Sequence, residues 1–150
     1  MLSFKADHVG SMLRPKEVHE ARDKRQRGEI TAEELRVVEN AAIEKTIKRQ
    51  EAVGLQSITD GEFRRAFFHI DFLEKLKGVV VKGGLPVKFR SVGGELEFAP
   101  PRMEIVGRLE RTQAISVDDF SFVRDATSRT AKLCIPSPTM LHFRAGRKGI

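Results

Sequence analysis

The sequence predicts an α/β fold: the first half, about four βα units, of a TIM (β/α)8 barrel, with a β-hairpin insertion around residues 78–98. Three observations point there. Strand-like and helix-like segments alternate, beginning with strand, long helix, strand. Polar clusters follow the first, second and fourth strand-like segments, the end of a barrel where active sites are built. The chain has 150 residues, whereas eight βα units need roughly 250. Residues 1–150 are therefore expected to form an incomplete domain.

Lys5–Val9 reads as the first strand and ends at Gly10-Ser11. Pro15 suits the first position of a helix running to Arg27, with Gly28 as its stop. Thr31-Ala32-Glu33-Glu34 has the spacing of a capping box. Behind it Leu35, Val38, Ala42, Ile43 and Ile47 recur on one helical face, and Gly54 ends that helix. Leu55–Thr59 is the second strand, closed by Asp60-Gly61-Glu62. Phe67–Leu76 reads as a helix. Val79-Val80-Val81, Gly83-Gly84 and Gly93-Gly94 mark the hairpin excursion, closed by Pro100-Pro101. Arg102–Leu109 is the third strand. Ser116 is expected to cap a helix over Val117–Ala126, and Ala131–Ile135 is the fourth strand, ending at Pro136-Ser137-Pro138.

Composition narrows the function classes. A single Cys excludes an internal disulfide. The amino terminus lacks the apolar core of a signal peptide, and no apolar run approaches the ~18 residues of a membrane span. A cytoplasmic protein without membrane contact is expected. The net charge of +6 raises nucleic acid as a partner. Its densest cationic run, Arg22, Lys24, Arg25 and Arg27, is interleaved with Glu17, Glu20, Asp23 and Glu29, as on a solvated helix face. With no Tyr or Trp for base stacking, nucleic-acid binding is a poor fit.

Two loops carry candidate chemistry. Gly10-Ser11 either presents backbone N–H groups and a hydroxyl to a carboxylate or is a plain strand-to-helix turn. Asp60-Gly61-Glu62 either holds a cationic ligand between two acids or forms salt bridges to Arg64 and Arg65. His8, beside Asp7, could be oriented by that carboxylate. His8, His69, His142 and Cys134 lack the paired spacing of a zinc motif, and Cys134 between Leu133 and Ile135 reads as a buried structural thiol. Ser137 and His142 lack a nucleophile elbow, which argues against a hydrolase.

Three motifs then occur in order: Asp7-His8-Val9-Gly10-Ser11-Met12-Leu13-Arg14-Pro15, Thr59-Asp60-Gly61-Glu62-Phe63-Arg64-Arg65 and Ile135-Pro136-Ser137-Pro138-Thr139-Met140-Leu141-His142-Phe143. Together they resemble the cobalamin-independent methionine synthase family, especially short members related to its catalytic carboxy-terminal domain. The resemblance implies methyl transfer from a folate-type donor to the thiol of homocysteine, a 5-methyltetrahydropteroyltriglutamate-homocysteine S-methyltransferase-like activity. Zinc would hold the acceptor as thiolate. It further implies that Val9, Gly10 and Ser11 contact the amino-acid part of homocysteine and that Glu62 pairs with its ammonium. His8, Asp60, His142 and Phe143 are further candidate contacts to substrate or pterin. The family's zinc ligands, a His-x-Cys pair, a Glu and a second Cys, come from the other half of the barrel. The chain alone is thus expected to bind no metal and to be inactive, a part of the substrate cradle. Its partner would be a second chain that completes the barrel, or another copy of itself.

Overall fold

The computed structural model describes residues 6–84, 87–91, 94–99 and 101–143. The chain divides into two compact units, residues 1–65 with 116–134 and residues 66–115 with 135–150.

The first unit holds α1 (Lys16–Gln26), α2 (Ala32–Ala52), β1 (Ser57–Ile58), α4 (Val117–Ala126) and β6 (Thr130–Ala131). The capping box forms as the spacing predicts: Glu34 N–H donates to the Thr31 hydroxyl at 3.1 Å, and Thr31 N–H donates to the Glu34 carboxylate at 2.7 Å. Ala42, Ile43 and Ile47 from the apolar stripe of α2 meet Val18, Ile58, Phe63 and Val123 in one core. Each large aliphatic side chain buried there stabilises the unit by about 1.5–3 kcal/mol. β1 and β6 pair in parallel, Ser57 opposite Thr130 and Ile58 opposite Ala131.

The second unit contains α3 (Ile70–Leu73), β2 (Lys77–Lys82), β3 (Val87–Ser91), β4 (Gly94–Phe98), β5 (Arg102–Glu110) and α5 (Met140–Phe143). β3 and β4 pair antiparallel. β2 and β5 pair antiparallel, and Ile70, Leu73, Met103 and Leu141 bury together. At Gly78, φ is +87° and a Cβ would stand 2.6 Å from the Arg108 carbonyl oxygen, so only glycine fits where the β2–β5 register shifts.

Several expectations are corrected. Ala6–Val9, the described part of the first expected strand, makes no ladder; the Lys132 ammonium meets the Asp7 carboxylate and the His8 carbonyl instead. The second and fourth strands shrink to β1 and β6, because Thr59 already finds a side-chain partner and Ile135 is 60% exposed. Arg102–Glu110 is not a third parallel strand, since its ladder runs antiparallel to β2. Of four expected βα strands, the parallel sheet among the described residues contains two. The Phe67–Leu76 helix contracts to α3, as the Asp71 carboxylate accepts from the N–H groups of Ala66 and Phe67 and holds that stretch as a turn. Ser116 does not cap α4 with its side chain: at φ 59° its backbone is left-handed, not the extended form of a capping residue, and its carbonyl accepts from Phe120 N–H. Gly93 and Pro100 lie outside the described residues.

Candidate functional site

The site is built on the loop that follows β1. Gln50 of α2 and Thr59 exchange two hydrogen bonds, 2.8 and 3.0 Å, which end the strand and fix where the loop begins. Gly61 N–H then donates to the Thr59 hydroxyl, and Glu62 N–H to the Asp60 carboxylate at 2.9 Å. Gly61 and Glu62 both take left-handed backbone, φ 64° and 57°. For glycine this is free; for Glu62 it costs about 1–2 kcal/mol and needs support from the surroundings.

That support comes from guanidinium groups. Arg14 donates to the carbonyls of Glu62 and Arg65, at 3.1 and 2.7 Å. Arg22 of α1 donates to the Arg65 carbonyl at 3.0 Å, to the Phe63 carbonyl, and toward Glu39 of α2 at 3.5 Å. Arg65 reaches the Cys134 carbonyl at 2.5 Å and lies 3.6 Å from Glu62 Oε1. Arg64 points elsewhere, to Asn40 and Asp119, with its guanidinium over the Phe122 ring.

The segment before α1 lies against this loop through Met12 N–H, which donates to the Gly61 carbonyl at 3.0 Å. Gly10 turns at φ 90°, and its carbonyl accepts from His8 Nε2 at 3.0 Å. Ser11 is exposed and Val9 is 77% exposed, so both can meet a ligand.

Glu62 is the singular group here. Its residue is only 4% exposed, and its Oε2 is buried without a hydrogen-bond partner. Burial raises its pKa, and Asp60 pushes it the same way; Arg65, Arg14 and His8 oppose them. A buried acceptor with an open valence is costly unless something donates to it. Asp7 shows the reverse, lowered by its hydrogen bond to Lys132.

The structure therefore brings His8, Gly10, Asp60 and Glu62 into one neighbourhood of the first unit. Of the two salt bridges expected from the Asp60-Gly61-Glu62 loop, the one to Arg65 forms, through Glu62 Oε1, whereas Arg64 pairs with Asp119; Glu62 Oε2 is left without a hydrogen-bond partner. His142 and Phe143 belong to α5 in the second unit, and their side chains lie outside the described residues. Cys134 is half-buried and outside any strand, not a buried strand thiol, because the short β6 ends before it. Arg22 is not part of a solvated face: its side chain is 22% exposed and turned onto the loop. Sequence reading missed the roles of Arg14, Arg22 and Gln50. One signal was available, because Arg22 falls four residues after the buried Val18, on the inner face of α1.

Zinc, which the resemblance implies, does not fit the groups present. Among the described residues no three His, Cys, Asp or Glu side chains gather to hold a metal ion. The sequence has one Cys, half the thiolates of a two-Cys site. Among the described residues, no helix is long and apolar enough to cross a membrane.

The family model described as cobalamin-independent synthase, catalytic domain, matches residues 4–142. The uncharacterised protein YxjH of Bacillus subtilis is 42% identical over 144 residues, covering 93% of this chain and 37% of that protein. The 5-methyltetrahydropteroyltriglutamate–homocysteine methyltransferase of Thermodesulfovibrio yellowstonii is 31% identical over 149 residues, 98% of this chain and 19% of that enzyme. A solved Listeria monocytogenes protein, provisionally assigned as a vitamin-B12 independent methionine synthase, superposes with a TM-score of 0.74 at 44% identity. It covers 94% of this chain and 38% of its own. The chain thus spans well under half the length of these relatives.

Proposed function

Since the chain belongs to the cobalamin-independent methionine synthase family, we propose that its first unit supplies the amino-acid cradle for homocysteine in a methyl-transfer reaction. Glu62 is the observation that carries the reading. A buried carboxylate held by Arg65 on one oxygen and open on the other suits a primary ammonium, which fills the open valence and brings the compensating charge. Val9, Gly10 and Ser11 would face the same amino acid, with backbone N–H groups and the Ser11 hydroxyl toward its carboxylate. His8 and Asp60 are secondary contacts. His142 and Phe143 are proposed to approach substrate or pterin.

In this reading β1 and β6 are neighbouring strands of a TIM barrel, and residues 78–98 are an excursion from it. The methyl donor is a folate-type molecule and the acceptor a thiol. Zinc, where bound, would lower the thiol pKa and supply the nucleophilic thiolate. Among the described residues no such metal site gathers, and the part proposed for them is to bind and orient the acceptor. We therefore expect the 150-residue chain alone to form no methionine. Catalysis would need metal-binding residues in addition to those of this first unit.

Two assays test this. Purified chain with zinc, homocysteine and a methyl-folate should yield no methionine above background; turnover without another polypeptide would contradict the division of labour. Homocysteine should perturb the NMR resonances of Gly10, Ser11 and Glu62, while its analogue lacking the amino group should not. Equal perturbation by both would reject the cradle.

A further inference from the structure

Glu62 is held against two tendencies. Its left-handed backbone favours relaxation, and its buried carboxylate favours swinging out to water. The loop has few apolar anchors beyond Phe63, which is 1% exposed in the first core. Its carbonyl groups, however, are gripped from outside. Arg22 reaches two of them, those of Phe63 and Arg65, from the neighbouring helix α1. A planar guanidinium can do this from one rigid fork, whereas an ammonium cannot match the geometry. Glu39, itself 6% exposed on α2, sits behind Arg22 and keeps its charge compensated in a buried place.

We infer that Arg22, steadied by Glu39, is a positioning residue for Glu62: the pair transmits the α1–α2 packing to the loop and keeps the carboxylate facing the ligand. The inference rests on the cradle reading for its function, but its mechanical part stands apart from any ligand. The groups that face Glu62 and influence its protonation are Arg65, Asp60, Arg14 and His8. Arg22 donates to the backbone carbonyls of Phe63 and Arg65 on either side of Glu62, so it acts on the loop through its backbone. A plain staple between α1 and α2 is the competing role, and it would leave Glu62 indifferent to the shape of the group at position 22.

The test is NMR on the uniformly labelled 150-residue chain and on Arg22→Lys, which keeps the charge and loses the fork. The expected result is local. The Glu62 coupling constant and Cα shift lose their positive-φ signature, and its carboxyl midpoint falls by about half a pH unit or more toward an ordinary carboxyl. The α2 core resonances of Ile43 and Ile47 stay in place. Homocysteine affinity drops about tenfold or more. Unchanged Glu62 signature and midpoint, or disturbance spread along α1 and α2, would overturn the inference. If Arg22→Lys does not fold, Glu39→Gln is judged by the same local criteria. In the unsubstituted chain, Glu62 and Arg65 amides should exchange slowly; exchange at the rate of an open peptide would overturn the clamp whatever the variants do. Loss of homocysteine binding alone, with the clamp intact, would count against the cradle and not against the positioning role.

Discussion

The side-chain amide of Gln50 and the backbone of Thr59 exchange a donor and an acceptor, Nε2 to the carbonyl at 2.8 Å and N–H to Oε1 at 3.0 Å. Gln50 thereby does for one residue what a neighbouring strand would do, and it lets β1 stop where the Asp60–Glu62 loop begins. Both residues are buried, so neither water nor another strand replaces the pair.

Gln50→Ala should therefore leave two buried backbone groups of Thr59 without partners, at roughly 1–3 kcal/mol each. Urea unfolding is expected to show a loss of about 2–4 kcal/mol with little change in slope. The loop amides of Gly61 and Glu62 should exchange faster in the same variant.

Gly78→Ala tests the second unit by itself. The added Cβ meets the Arg108 carbonyl at 2.6 Å and the backbone stands at φ +87°. A destabilisation of roughly 2–4 kcal/mol is expected from strain plus overlap. It should appear as loss of protection across β2 and β5, read by hydrogen exchange.

Glu62 sets a pH dependence whose sign is fixed by its environment. Burial raises its folded pKa above the unfolded value, so its favourable contribution is full below the unfolded pKa and is lost as pH rises through the folded one. Glu62→Gln, which imitates the neutral acid, should gain stability relative to the unsubstituted chain across that interval, by about 1.4 kcal/mol for every pH unit that separates the folded and unfolded midpoints. The two should converge in stronger acid. Ammonium binding runs the other way, weakening as pH falls through the same midpoint because it needs the carboxylate.

Local signals made part of this molecule legible in the sequence. The capping box of Thr31 and Glu34, the stripe through Ile43 and Ile47, and the glycine stops at Gly28 and Gly54 all act within a few residues. The Gly61-Glu62 turn was legible for the same reason. What escaped is non-local. Val79 to Val81 and the stretch from Arg102 both read as strands, but nothing in either says that they pair with each other and not with a parallel sheet. Lys132 satisfying the backbone near Asp7 spans 124 residues in sequence, beyond any periodicity. Arg22 looked like one charge in a mixed run because its partners, the carbonyls of Phe63 and Arg65, lie more than 40 residues away.

Glu62 is proposed to hold the ammonium of homocysteine. The most direct measurement of that role is the affinity of the chain for homocysteine, relative to the analogue lacking the amino group, before and after Glu62→Gln. The unsubstituted chain should prefer homocysteine by about tenfold or more, the value of one charge-assisted bond, and Glu62→Gln should abolish the preference. A preference that survives Glu62→Gln would contradict that role.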